Sequence, residues 1–347
     1  MKRFHFGLLI GLALLFDMQY LHAEQKSFEL NILHINDQHS HLDSEPLELN
    51  IDGKKYEIEV GGMARVASEI KALKQKSKNT LVLHAGDAMS GTLYFTLFKG
   101  QADVALMNEI GFDAFTLGNH EFDEGDSVLF DFIDKAKFPV ISSNVDTLKT
   151  SVLHGKWKPY IIKEIDGQKV GIIGLETAQK TSASSRPGKD ISFYDEIFRT
   201  QKYANELMSK GVDKIILLSH FGYDNDQRLA KKVKGIDVII GGDSHSLLGD
   251  FSSLGLASSG KYPTEVKSAD GKKVCIVQAW EYTKVVGELN VLFNDKGDVT
   301  SCGGKAHLIA GENISLKDVS GQKKYIDKKE IKALQGMLKN GAVLDIV

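Results

Sequence analysis

A chain of 347 residues with 42% apolar and 26% charged side chains has ordinary globular composition and room for one large domain or two small ones. A formal net charge of −3 excludes a broadly basic surface of the kind that holds a nucleic acid polymer. Any attraction for phosphate must be local.

Residues 1–23 read as an export signal. Lys2 and Arg3 supply the positive start, 7–16 an apolar run too short to span a bilayer, and Leu21-His22-Ala23 a cleavage site. A retained amphipathic anchor is the competing reading. No later run is apolar and charge-free enough for a membrane helix, so a periplasmic or secreted product is expected. Residues 28–35 then read as a strand. A charged hairpin insert follows at 50–60, and a helix at 62–76 with Met63, Val66, Ile70 and Leu73 on one face. Strands at 80–84 and 114–117 flank a helix at 102–110 that stops at Gly111. A helix at 127–137 and a strand at 138–142 complete the first set.

The second set begins with strands at 160–165 and 169–175 that turn at Asp166-Gly167. A helix at 195–210, a strand at 214–219, a helix at 225–234 and a strand at 237–240 follow. Stretches 181–190 and 249–269 are polar and rich in serine and glycine, and are expected as loops. The segments 274–279, 284–293 and 299–308 are strands without intervening helices. Such an order predicts an α/β domain of layers in which sheets pack on one another. Cys275 and Cys302 are suited to pairing across neighbouring strands in an oxidising compartment, with two buried thiols as the alternative. Their spacing does not resemble a thiolate metal site. Beyond residue 310 the character changes: Asp327 can cap a helix at 328–338, and an apolar end follows. The expected division is therefore 24–310 as the main domain and 311–347 as a linker helix and the start of a further domain.

Five polar clusters each close an apolar strand. They are Asn36-Asp37-Gln38-His39, Gly86-Asp87, Gly118-Asn119-His120-Glu121-Phe122-Asp123, Ser219-His220 and Gly241-Gly242-Asp243-Ser244-His245. Carboxyl ends of strands form the binding edge of open α/β sheets, so these groups should meet on one rim. Aspartate oxygen, asparagine amide oxygen and neutral imidazole together suit borderline divalent cations. Two such cations about 3.5–4 Å apart can clamp a phosphoryl group, with Asp87 placed to bridge them. Glycines before Asp87, Asn119 and Asp243 let the backbone bring each donor inward. His120 and Asp123 form an i, i+3 pair in which the carboxylate can orient the imidazole as a general acid or electrostatic stabiliser. The competing reading has Glu121 and Asp123 cap the next helix. His34 and His84, inside strands, read as packing residues. His41, Glu176 and Arg65 read as outer supports of the donor set, and the lysines at 323–329 as a solvated face.

These clusters, with Gly61-Gly62-Met63-Ala64-Arg65 and Ser90-Gly91-Thr92, resemble the signature of calcineurin-like metallophosphoesterases. Over about 28–310 the chain is similar to the N-terminal domain of bacterial secreted 5′-nucleotidases. The resemblance implies a four-layer βαββ-type sandwich and hydrolysis of phosphate esters of small nucleotides with two divalent ions (Mn, Zn, Co or Mg). It implies that Asp37, His39 and Asp87 hold one ion, with His245 at the end of the last motif, and that Asp87, Asn119 and His220 hold the other. His120 and Asp123 are implied in catalysis, with Asn119 and His120 also against substrate. Asp243 stands where the family places a histidine. As a ligand it hardens the site toward Mn²⁺ or Mg²⁺; as a turn residue it leaves one ion a ligand short. The partner implied is a nucleotide or another small phosphate ester, with no protein partner inferred. Two alternatives stay open: a metal-binding domain with little activity, and a broad phosphodiesterase.

Overall fold

Period-two alternation sets the first strand. In β1 (Phe28–Ile35), Phe28, Leu30 and Ile32 join one core while Leu33 and Ile35 join another on the opposite face. The computed structural model describes residues 27–317 and 322–347; the export signal read at 1–23 lies outside the described residues. A hairpin of β2 (Glu45–Ile51) and β3 (Lys54–Val60) comes next, then α1 (Met63–Lys74) and β4 (Thr80–His84). They are followed by α2 (Leu93–Phe98), α3 (Gln101–Ile110), β5 (Ala114–Thr116), α4 (Asp126–Lys135) and β6 (Val140–Ile141).

The chain continues through β7 (Val145–Thr147), β8 (Tyr160–Ile165), β9 (Gln168–Glu176), α5 (Ala178–Ser184) and β10 (Ile191–Phe193). Then come α6 (Glu196–Ser209), β11 (Lys214–His220), α7 (Tyr223–Ala230), β12 (Val238–Gly241), β13 (Thr264–Lys267) and β14 (Lys273–Gln278). The last elements are β15 (Val285–Phe293), β16 (Val299–Lys317), β17 (Lys323–Tyr325), α8 (Lys328–Met337) and β18 (Ala342–Ile346).

Two large sheets result. One runs β2-β3-β16-β15-β1-β4-β5-β6 with β17 and β18 added on β16; the other runs β13-β14-β12-β11-β9-β8. Helices α1, α3 and α4 cover the outer face of the first through Met63, Val66, Ile70, Val104, Met107 and Phe132. Helices α6 and α7 cover the outer face of the second, and the inner faces pack on each other. The layers are helix, sheet, sheet, helix: the sheets pack on one another as the order of elements predicts, in the four layers that the resemblance implies. Each fully buried leucine or isoleucine in these layers contributes about 1.5–3 kcal/mol. Cys275 on β14 and Cys302 on β16 form a disulfide, which joins the two sheets and not adjacent strands of one.

Local signals held where they had a backbone cause. Asp327 caps α8 by accepting from the Glu330 N–H at 2.8 Å. Asp166 and Gly167, with φ of 49° and 74°, make the left-handed two-residue turn between β8 and β9. Two expectations differ. The stretch expected as a loop from 181 starts inside α5, and the loop expected at 249–269 contains β13, which pairs with β14. At 310, where the sequence character changes, β16 runs on and changes partner: 299–308 pair with β15, and 310–317 with β3. Residues of the expected linker thus extend the large sheet, β18 lying parallel to β16.

A buried charge holds β18 in place. His307 on β16 lies 2.5 Å from Asp345 on β18, 3.3 Å from Glu288 on β15 and 3.8 Å from Glu69 on α1. Burial lowers its pKa, but hydrogen bonds to Asp345 and Glu288 outweigh that and push it up to about 9. A raised folded-state value means full stabilisation below the unfolded value of 6.5, lost as pH rises through about 9. Thermal unfolding should therefore show stability falling by up to roughly 3 kcal/mol between pH 6.5 and pH 10. His307→Gln should lessen that slope; an unchanged slope would place its origin elsewhere.

Candidate metal centre

Every strand that carries a motif points its carboxyl end at the same seam. Strands β1, β4 and β5 are mutually parallel in one sheet, and β9, β11, β12 and β14 in the other. The seam between the sheets gathers Asp37 and His39 after β1, Asp87 after β4, and Asn119 and His120 after β5. From the opposite sheet come His220 at the end of β11 and Asp243 and His245 after β12.

The distances are those of a shared site. His220 Nε2 is 3.0 Å from Asp87 Oδ2 and 4.0 Å from Asp37 Oδ1. His245 Nε2 is 3.3 Å from Asp37 Oδ1 and 3.1 Å from His39 Nε2. His39 Nε2 is in turn 3.6 Å from Asp87 Oδ2 and 3.8 Å from Asp37 Oδ1. Asp37, His39 and His245 form one group whose donor atoms lie within 4.8 Å of one another, and Asp37, Asp87 and His220 form a second. Asp243 stands at the edge: its carboxylate is 3.8 Å from His220 Nε2 and 2.5 Å from Lys180 Nζ. Its backbone N–H donates to both oxygens of Asp37.

Bringing these groups together bends the backbone. Asp37, His39, Asp87, Asp243 and His245 all have φ between 47° and 72°, a region costly for side chains with a Cβ. The bends are over-determined by hydrogen bonds. The buried Asp103 on α3 accepts from Gln38 Nε2 and Ser40 Oγ, and His39 N donates to Asp87 O. Glycine is required for close approach: a Cβ on Gly118 would sit 2.3 Å from Asp87 Oδ1, and one on Gly242 2.5 Å from Ala85 O.

Glu121 is the hub. Its buried carboxylate accepts from four backbone N–H groups, those of Asp87, Ala88, Met89 and Gly118. It therefore fixes the turn that carries Asp87, and does not merely cap the next helix. Burial, then the neighbouring charge of Asp87, raise its pKa to about 7.

The outer partners orient the imidazoles. His220 Nδ1 donates to Ala85 O at 2.7 Å, and His245 Nδ1 meets Glu281 at 2.7 Å. Burial lowers the pKa of His220, but Asp87 and then Asp37 raise it well above the ordinary value. His245 is raised to about 9, its bonds to Asp37 and Glu281 outweighing burial. His120 Nδ1 is 2.6 Å from Asp123, which also accepts from Ser90 Oγ, and His120 N donates to Asp87 Oδ1.

A test of fit with cations lies in what remains unpaired. Asn119 Oδ1 is buried without a hydrogen-bond partner and lies on a donor residue of the set, while His220 Nε2 faces only carboxylates, the nearest being Asp87 at 3.0 Å. Two buried carboxylates with three imidazoles and an amide oxygen form a donor set that accepts borderline divalent ions. The residues present fit.

With this geometry in hand, comparison with known proteins is decisive. Residues 30–247 match the model of the calcineurin-like phosphoesterase family. The chain belongs to that family. Among its relatives, a probable 5′-nucleotidase of Treponema pallidum is 49% identical over 328 residues, covering 94% of this chain and 55% of that protein. The NAD 5′-nucleotidase of Haemophilus influenzae is 46% identical over 300 residues, covering 86% and 50%. The solved structure of the Haemophilus influenzae NAD nucleotidase superposes with a TM-score of 0.87 at 44% identity, over 92% of this chain and 58% of that one. A 5′-nucleotidase precursor from Thermus thermophilus gives 0.77 at 44% identity, over 82% and 55%. The chain spans about half the length of the curated relatives it matches.

The expected supports divide. His34 and His84 are core residues, bonded to Tyr262 and Gln38, with burial pushing each pKa down to about 3. Arg65 donates to Gly61 O, and Glu176 is bonded to Thr181. His41 pairs with Glu45 and stacks on Tyr282, whose ring meets His39 and His245 edge-on. Sequence reasoning missed Glu281 and Lys180. Glu281 follows β14, a parallel strand whose end obeys the same rule as the other motifs, so its signal was present.

Glu121→Ala would leave four buried N–H groups without their acceptor, at about 1–3 kcal/mol each before water enters. A net loss of about 3–5 kcal/mol in chemical denaturation is expected, Glu121→Gln losing less. Equal stability of the alanine variant would remove Glu121 as the hub.

Proposed function

We propose that this family member hydrolyses phosphate monoesters of small nucleotides with two divalent cations. The observation that carries the reading is the pair of buried carboxylates, Asp37 and Asp87, ringed by His39, His220, His245 and Asn119 at the seam of the sheets. Asp37, His39 and His245 would hold one ion, and Asp87, Asn119 and His220 the other, with Asp87 shared. Asp243, 3.8 Å from His220 and paired with Lys180, would complete the second set. The oxygen-rich mixture favours Mn²⁺, with Zn²⁺, Co²⁺ and Mg²⁺ as competitors. Bound there, such a pair polarises a phosphoryl oxygen and activates the attacking water.

The chain's own groups do the rest. Asp123 keeps the proton on His120 Nδ1. Burial lowers the His120 pKa, but the Asp123 bond and the charge of Asp87 raise it above the ordinary value. With its Nδ1 held by Asp123, His120 would turn Nε2 toward the leaving oxygen, and Asn119 and His120 line the face that meets the phosphoryl group. The relatives named as 5′-nucleotidases support a nucleoside as leaving group. An exported protein, periplasmic or secreted, is supported by the Cys275–Cys302 bridge. Among the described residues no helix is long and apolar enough to cross a membrane.

Purified protein with Mn²⁺ should release phosphate from AMP, and chelation should stop it. His120→Ala should lower kcat by about 10²–10⁴-fold with metal content unchanged. Asp87→Ala should lose both ions in elemental analysis. Full turnover by the His120 variant would remove that residue from the chemistry, and full metal content in the Asp87 variant would end the bridging assignment.

A further inference from the structure

The cleft over the metal centre, about 510 Å³, is lined by His39, Asp87, His120, His245, Tyr282 and Lys180. A second groove of about 540 Å³ adjoins it and shares Ser90, His120 and Lys180 while adding Asn119, Asp123 and Arg186. Of the shared side chains, Lys180 is the ammonium, and His120 is already assigned to the leaving oxygen. A phosphate dianion that enters here meets the carboxylates of Asp87, Asp123 and Asp243. Some positive group has to face its outer oxygens, on the side away from the buried donors.

Local structure aims Lys180 at that place. Helix α5 starts directly after β9; Thr181 turns inward onto Glu176 and Thr177 O, and Ala178 N is tied to Glu196. One residue earlier on the helix, Lys180 projects across the cleft to Asp243 Oδ1. The contact is easily exchanged, because the lysine side chain is 44% exposed and solvent weakens such a pair. Its flexible stem and rotating ammonium can follow a new acceptor.

We propose that Lys180 is the phosphate-binding cation contributed by this domain, held in reserve by Asp243. When Asp243 turns to a divalent ion at His220, the ammonium is released at the edge of the cleft beside His120. There it donates to a peripheral oxygen of the phosphoryl group. This inference rests on the phosphoester reading above. Lys180 is a substrate-binding residue, and the chemical step does not route through it.

The test uses the full chain loaded with Mn²⁺ and titrated with inorganic phosphate by calorimetry, beside steady-state kinetics on AMP. Lys180→Gln should weaken phosphate binding about tenfold or more and raise KM similarly, with kcat within about threefold. Lys180→Arg should stay within about threefold of wild type in both, since the charge and the reach survive. Mn²⁺ should bind the glutamine variant at least as tightly as wild type, because Asp243 no longer has a competing cation. Arg186→Gln, which touches only the adjoining groove, should leave phosphate binding within about twofold. Phosphate affinity unchanged in Lys180→Gln would overturn the proposal and leave the hydrolytic reading standing. Parallel losses of Mn²⁺ and phosphate would also overturn it, by showing that Lys180 acts through the metal donors. Wild-type protein that takes up Mn²⁺ but no phosphate would sink both readings together.

Discussion

Two carboxylates held out of water beside each other are the constraint from which the rest of this structure follows. Asp37 and Asp87 are almost wholly buried, and a buried charge persists only with a compensating charge and satisfied oxygens. The molecule compensates with imidazoles: His220 and His245, both raised in pKa, stand against them, and His39 lies between. Divalent ions held there would supply the same compensation, and any proton on a coordinating ring nitrogen would have to leave. The left-handed backbone at five of these residues is the conformational cost of crowding donors onto one point. The hydrogen bonds from Asp103 and Glu121 offset that cost.

The same constraint explains why so many polar side chains here serve the donors from outside. Glu121 binds four backbone N–H groups, Asn36 binds Asp37 and the Trp280 carbonyl, and Glu281 binds His245. Each fixes the direction of a donor and not its identity. A centre assembled from loops on two sheets has little rigidity of its own and borrows it from this outer ring.

Much of this was legible in the chain because strand ends are local features. Asp37, Asp87, Asn119, His220 and His245 each follow an apolar run, and the parallel sheet rule brings such ends to one edge. The packing of sheet on sheet followed from the order of elements, and the number of layers from the family resemblance. What was not legible depended on pairing between distant segments. The continuation of β16 past residue 310 has no local mark, because the change of partner from β15 to β3 is set by the hairpin at 45–60. Nor did spacing show that the disulfide links different sheets, since β14 and β16 meet only in the packed structure. The short helix α2 lies in a stretch whose exposed Leu93 and Leu97 give no amphipathic signal. Lys180 was hidden by composition: one lysine in a serine-rich segment looks like any solvated charge until Asp243 is seen opposite.

The donors come from both sheets: Asp37, His39, Asp87 and Asn119 follow strands of one, and His220 and His245 strands of the other. A slip of one sheet against the other, even by a fraction of the 3.3 Å rise per residue, would pull His220 and His245 away from Asp37 and Asp87. The centre is thus a vernier for the alignment of the whole sandwich. The Cys275–Cys302 crosslink, remote in function but not in effect, acts as the locking pin of that scale.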